Sequence, residues 1–273
     1  MFAHDKGGKV RPPAVAGSFY PARPGELGAA VETLLAHAGP IHGARPTGII
    51  APHAGYVYSG PVAAKAFAPL QARRADFERV ILIGPLHYLP VHGIAAPSST
   101  AFATPLGHAP VDTEVISTLV KTGLVAIDDR AHAPEHALEV ELPFLQILLE
   151  HFKLVPLLVG DATPQDVAAV IDLASNERTL LVVSTDLSHY LDATTAEARD
   201  HVTATTIERL DFSRLGPHDA CGYAALNGAL CAAGRKHWHI ARRDLRNSGD
   251  TSGDRMRVVG YGAWVFSEAK PKA

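Results

Sequence analysis

Cysteine, methionine and tryptophan each occur only twice in the 273 residues of this chain. Two cysteines cannot scaffold a chain of this length with disulfides, so its stability must rest on an apolar core. They fit a reducing, cytoplasmic setting in which each thiol is free for chemistry or simply packed. Long hydrophobic runs are also missing. The longest, such as "VILIG" and "LVPLLVG", are strand-sized and far short of the roughly 20 residues of a membrane span. The opening "MFAHDKGGKVRPP" has no apolar stretch of the kind a secretory signal carries. Charge of one sign is scarce as well: the net charge is −3, with no basic stripe or polybasic tail. This excludes the electrostatic footprints of nucleic acid and of an anionic membrane as partners. Absent motifs narrow the chemistry further. There is no phosphate loop, nucleophile elbow, Cys-x-x-Cys or His-Glu-x-x-His.

What is present is an apolar, histidine-rich chain, 47% hydrophobic with 15 histidines. That suffices for one large core, and no compositional shift marks a linker, so residues 1–273 are expected to form a single domain with its core at about 11–266 and mobile ends. The expected ends are the first dozen residues and the tail "SEAKPKA". Between them, strands and helices alternate. A helix over about Gly25–Ala38 carries Leu27, Val31, Leu34 and Leu35 on one stripe and stops at Gly39-Pro40. "TGIIAP", "RVILIGP", "KLVPLLVG" and "TLLVVS" read as buried strands, and "VHGIAAP" as a further one. "SGPVAAKAFAPL" reads as a helix with Pro61 in its first turn. Asp112 and Thr163 read as N-caps, and a long helix is expected from about Asp192 to Leu210. A further helix, capped by Asp219, is expected to end at Gly234, with two strands, which could be antiparallel, closing the chain. The fold class is therefore α/β: a central, mainly parallel but mixed sheet with helices on both faces.

In such sheets ligands bind beyond the carboxyl ends of the strands. "TGIIAP" delivers His53 there, "RVILIGP" delivers His87, and "TLLVVS" delivers Asp186 and His189. Each alone is as well read as a loop residue with a satisfied hydrogen bond, and 15 histidines leave room for scatter. Three strand exits that each carry histidine favour a common site. Cys221, in the expected first turn of the helix capped by Asp219, would be pushed toward thiolate by the helix dipole, or else is a small buried thiol. Cys231, beside Leu230 in the same helix, reads as core. Two imidazoles and a thiolate form a borderline-soft set that suits iron(II), copper or zinc far better than magnesium or calcium. Asp186 and His189 are then further ligands, neighbours of the ligands or a general acid–base pair. In "APEHALEVELPF", Glu135 and His136 could face the pocket, Glu139 has no assigned role, and Glu141 reads as part of a solvated helix start.

Seven stretches in order, "RPPAVAGSFYP", "IIAPHAGYVYSG", "ILIGPLHY", "ATPLG", "EHALEVELPF", "STDLSHY" and "CGYAALNGAL", together resemble the Memo family, whose prokaryotic members are called AmmeMemoRadiSam system protein B. The likeness runs from about Arg11 to Phe266. It implies a fold similar to that of LigB-type class III extradiol dioxygenases, non-haem iron enzymes. It also implies a metal site on His53, His87 and Cys221, with Asp186 and His189 as pocket neighbours. Where those dioxygenases use a carboxylate as third ligand, this chain offers Cys221. Animal Memo proteins are associated with copper or iron, with redox chemistry and with receptor phosphopeptides; "GPLHY" here departs from their "GPSHH". The family's prokaryotic name links it to a radical SAM protein and an AMMECR1-like protein.

Two functions follow as expectations. In the first, His53, His87 and Cys221 hold iron(II) or copper for redox chemistry on a small-molecule substrate, with His189 as acid or base oriented by Asp186. In the second, the cleft is a non-catalytic module that binds a peptide or partner protein. A third reading makes Cys221 a covalent nucleophile with His189 as its base.

Overall fold

The computed structural model describes residues 8–39 and 43–269. In chain order its elements are β1 (Val10–Arg11), α1 (Pro24–Ala38), β2 (Pro46–Ala51), α2 (Tyr56–Phe67), β3 (Arg79–Gly84), β4 (Ile94–Ala96), β5 (Ala101–Thr104) and β6 (Gly107–Pro110). Then come α3 (Thr113–Lys121), β7 (Val125–Ile127), α4 (Asp129–His132), α5 (Leu142–Leu148), β8 (Lys153–Val159), α6 (Pro164–Ala174) and β9 (Thr179–Ser184). β10 (His189–Leu191), α7 (Ala193–Glu208), α8 (Tyr223–Arg235), β11 (His239–Asn247), α9 (Gly249–Ser252) and β12 (Val258–Ser267) complete the chain.

The heart of the sheet is β2-β9-β3-β8, four parallel neighbours. Their sequences are near-continuous apolar runs because both faces are covered, which is why they do not alternate. The flanks are mixed. β12 runs antiparallel to β2, and β11 returns along β12 as an antiparallel partner; on the other flank β4 runs antiparallel to β8 and parallel to β7. Pro156 sits inside β8, between the bridge of Leu154 to Val111 and the β4 pairing at Leu158, where its missing N–H disrupts no ladder.

Two helical layers cover the sheet. α6 and α8 pack on each other, with α8 against β3, β8 and β9; α1, α2 and α5 pack together, with α2 against β2 and β12. The α6–α8 contact is close enough that a Cβ at Gly228 would fall 2.2 Å from the Val167 side chain. Thr163 caps α6 and Asp112 caps α3 through their side chains, as their sequence positions suggest.

Three local expectations are corrected. α2 starts at Tyr56, behind Gly55, so Pro61 lies in its second turn. α8 starts at Tyr223, behind Gly222; Asp219 instead accepts a hydrogen bond from the Gly216 amide. The N-terminal arm is not free at Val10–Arg11. These residues pair with β5, and the buried Arg11 guanidinium forms an ion pair with the buried Glu139. Of the expected mobile ends, residues 1–7 and 270–273 lie outside the described residues, as does Pro40 of the expected helix stop; Ser267 of the tail is not free but ends β12, paired with Pro46 and His239. No helix among the described residues is long and apolar enough to cross a membrane.

Candidate metal centre

Because β2, β9 and β3 are parallel neighbours, their carboxyl ends open on one edge of the sheet. His53 stands two residues beyond the end of β2, with its backbone N–H held by Oδ1 of Asp186 at 2.9 Å. His87 stands three residues beyond β3. Glu135 grips it twice: Oε2 accepts the His87 backbone N–H (2.6 Å) and Oε1 accepts Nδ1–H (2.8 Å). His136, next to that glutamate, enters from the loop between α4 and the 3₁₀ turn Glu139–Glu141. The ring centroids are 5.2 Å apart for His53–His87, 5.5 Å for His53–His136 and 4.5 Å for His87–His136. One nitrogen from each ring lies within 4.8 Å of the other two. This is the one such group of three or more among the described residues, and it can hold a metal ion.

The surroundings suit a cation. Nδ1 of His53 is engaged by Ser184 Oγ at 2.7 Å and Nδ1 of His87 by Glu135, which leaves Nε2 of each for a ligand role. Nδ1 of His136 lies 3.3 Å from Glu135 Oε1, yet the geometry makes no hydrogen bond, so this buried nitrogen is without a partner. His53 is only 1% exposed. Burial first, and the neighbouring His87 second, push its pKa down to about 3; burial and then His53 push His136 down to about 4. Both rings are therefore neutral at pH 7, the form that ligates. Burial raises the Glu135 carboxyl, but the hydrogen bond and charge of His87 and the backbone N–H groups outweigh it and hold it at about 2. An ionised carboxylate thus backs the cluster.

Cys221 lies beside this group. Its sulfur is 3.4 Å from Nε2 of His53 and accepts the Asp186 backbone N–H at 3.3 Å. The loop that carries it is pressed onto the end of β9: a Cβ at Gly222 would fall 2.8 Å from the Ser184 carbonyl oxygen. Cys221 precedes α8 rather than lying in its first turn, so the expected help from the helix dipole is missing. Burial, reinforced by Asp186, pushes the thiol up to about 12. In the mutually close group the third position belongs to His136, with Cys221 touching His53 at its margin.

His189 opens β10, and its Nδ1–H donates to the Leu187 carbonyl at 2.7 Å. That carbonyl, not Asp186, is its hydrogen-bond partner. Asp186 itself is raised by burial, with His189 pulling the other way. Tyr190 follows in the left-handed region (φ 61°), its ring under the Arg257 guanidinium at 4.6 Å. His53, His87, His136, Asp186, His189 and Cys221 line one cavity of about 1020 Å³, rimmed by Tyr58, Tyr88 and Tyr190.

The acidic cluster behaves differently from its sequence reading. Glu141 is not a solvated helix start but fully buried. Glu139, also fully buried, ties down the N-terminal arm: it pairs with Arg11, accepts the Ala14 and Val15 backbone N–H groups, and accepts the Tyr20 hydroxyl at 2.6 Å. The arm thereby places Phe19 against the His136 ring, centroids 4.8 Å apart. His136 follows no strand, so the strand-exit rule could not single it out. The available signal was a histidine set among three glutamates in a stretch otherwise apolar enough to be buried.

Comparison with known proteins places these features in context. A family model described as Memo-like protein matches residues 11–265. A MEMO1 family protein of Thermotoga neapolitana is 35% identical, covering 94% of this chain and 100% of its own length. Those of Sulfolobus acidocaldarius and Methanopyrus kandleri are each 37% identical, covering 92% and 94% of this chain and 97% and 98% of their own lengths. A solved structure of an uncharacterized Escherichia coli K12 protein aligns with a TM-score of 0.49 at 15% identity, over 79% of this chain and 99% of that one.

Proposed function

Given that this chain belongs to the Memo family, we propose that it is a metal-dependent oxidoreductase in which His53, His87 and His136 hold one iron(II) or copper ion, with Cys221 as a further donor. The observation that carries this reading is the mutual 4.8 Å approach of three imidazole nitrogens, two of them on rings whose other nitrogen is tied to a protein oxygen. A set of imidazoles with a neighbouring thiol suits iron(II), copper and zinc; the first two supply one-electron chemistry and activation of oxygen when bound. The Cys221 sulfur, 3.4 Å from Nε2 of His53, is near enough to donate beside that ring. To serve as a donor, Cys221 would have to release its proton to solvent in the cavity, against the burial that retains it.

The chain's own residues do the rest. Glu135 orients His87 and lends it negative charge; Asp186 holds the His53 backbone in place. His189, with Nδ1–H committed to Leu187, presents Nε2 as the proton acceptor for a substrate in the cavity, and Asp186 is the second proton-handling group facing it. The substrate is a small organic molecule, and the setting is the cytoplasm. Elemental analysis of protein purified without oxygen, followed by oxygen-uptake assays on catechol-type and thiol-type compounds, tests the proposal. About one iron or copper per chain and metal-dependent turnover are expected. Zinc alone, or oxygen uptake unaffected by His53→Ala, overturns it.

The exposed rim supports a second reading, a peptide- or protein-binding module: Tyr58, Tyr88 and Tyr190 are 43%, 54% and 64% exposed around the cavity mouth. The AMMECR1-like and radical SAM proteins of the same cell are its proposed partners. Co-purification with either, unchanged by His53→Ala, would favour the module over chemistry.

A further inference from the structure

Ser184, the last residue of β9, is fully buried behind His53. Three polar atoms surround its hydroxyl oxygen: Nδ1 of His53 at 2.7 Å, the Ala137 carbonyl oxygen at 2.7 Å and Oε1 of Glu141 at 3.0 Å. A serine hydroxyl has one hydrogen to give and two lone pairs with which to receive. The Ala137 carbonyl can only accept, so it takes that hydrogen. The two remaining contacts are hydrogen bonds only if both partners donate. His53 must then carry its proton on Nδ1, and Glu141 must be a carboxylic acid.

The burial of Glu141 points to the same state. No cation pairs with it among the described residues, and its Oε2 is buried without a partner. A carboxylate there would be a buried charge with one bare oxygen; a neutral acid leaves only a carbonyl oxygen unpaired, a far smaller cost. Burial raises its carboxyl well above the usual range and the charge of Asp186 adds to it, outweighing the opposite effect that a Ser184 hydroxyl donating to a carboxylate would have.

We propose that Glu141 is a buried neutral acid which, with Ser184, forms a brace that holds His53 in the Nδ1–H tautomer and turns its Nε2 lone pair to the cavity. Ser184 and Glu141 are positioning residues, since neither lines the cavity. The brace makes the two strand-exit histidines unequal: an ionised carboxylate backs His87, whereas a hydroxyl held by a neutral acid backs His53. The use of the lone pair rests on the metal reading above; the tautomer and the protonation state do not.

The test uses metal-free, full-length protein. Nitrogen-15 NMR of histidine-labelled protein at neutral pH is expected to report the Nδ1–H form of His53. An infrared difference spectrum of wild type minus Glu141→Gln is expected to contain the carbonyl band of a protonated carboxyl group. Ser184→Ala, which leaves Nδ1–H without an acceptor, should move His53 toward the Nε2–H form; Ser184→Thr, which keeps the hydroxyl, should not. In iron(II) titrations Ser184→Ala should weaken binding about 10- to 100-fold, as losses behind a metal ligand do. An Nε2–H His53 in the wild type, or no protonated-carboxyl band, overturns the brace. Wild-type protein that binds no metal yet passes both spectroscopic tests overturns the metal reading instead.

Discussion

The two edges of the parallel sheet each open on a cavity, and they are built in opposite ways. At the edge where strands begin, about 710 Å³ is lined by Glu78, Arg79, Asp112 and Lys153 among others. There charge meets charge. Arg79 lies 3.0 Å from Asp112, and Glu78 pairs with Arg178. At the edge where strands end, imidazoles face one another with their polar partners behind them: Glu135 behind His87 and Ser184 behind His53. Polar side chains that satisfy one another make a stable surface. Those held from behind, with lone pairs left over in front, make a site.

The contrast can be broken most forcefully by removing a front-facing ring. His53→Ala or His87→Ala should weaken iron(II) or copper binding by more than about 100-fold, read by anaerobic titration; affinity within a few fold of wild type would mean that the three rings are not the centre.

Acid tests the cost of burying an imidazole without a charge partner. His132, buried against the Ala95 carbonyl, has its pKa lowered to about 4 by burial. Its folded pKa lies below its unfolded value, so between pH 6.5 and 4 the unfolded chain binds the extra proton. Its contribution is complete above pH 6.5 and is lost as pH falls toward 4, by up to roughly 3 kcal/mol. Urea unfolding of His132→Asn against wild type across that window should give a visibly flatter profile, and parallel profiles would refute the assignment.

Loosening a rear partner should do less than removing a ring. Glu135→Gln forfeits the carboxylate that takes two hydrogen bonds from His87, and metal affinity should fall about 10- to 100-fold. Cys221→Ser should cost about tenfold, in keeping with one soft donor at the margin of a set of three; unchanged affinity would remove the sulfur from the centre. The smallest effect belongs to the opposite edge. Asp112→Ala removes the cap of α3 and the pairing with Arg79, which should lower stability by about 1–2 kcal/mol in thermal melts. Metal affinity should not change, and a loss of it would erase the distinction between the edges.

Much of this is legible in the sequence. The apolar runs of β2, β3, β8 and β9 announce a covered parallel sheet, and the polar residues directly after three of them mark the working edge. The histidine at position 136 was harder to see, because its placement depends on Glu139, which pulls the N-terminal arm onto the same loop across more than a hundred residues of chain. Glu141 departs from its sequence reading for a related reason. Near a helix start a carboxylate is usually solvated, and only the packing of β9 against that loop buries this one.

The sequence by itself determined the family, the order of the central elements and the edge at which chemistry gathers, because hydrophobic periodicity and strand direction act through near neighbours in the chain. Only the tertiary structure decided that His136 completes the imidazole set, that Cys221 stands beside it as a neutral thiol, and which nitrogen of His53 faces the cavity. Those outcomes depend on distances between segments far apart in sequence and on where water is shut out, and no local pattern encodes either.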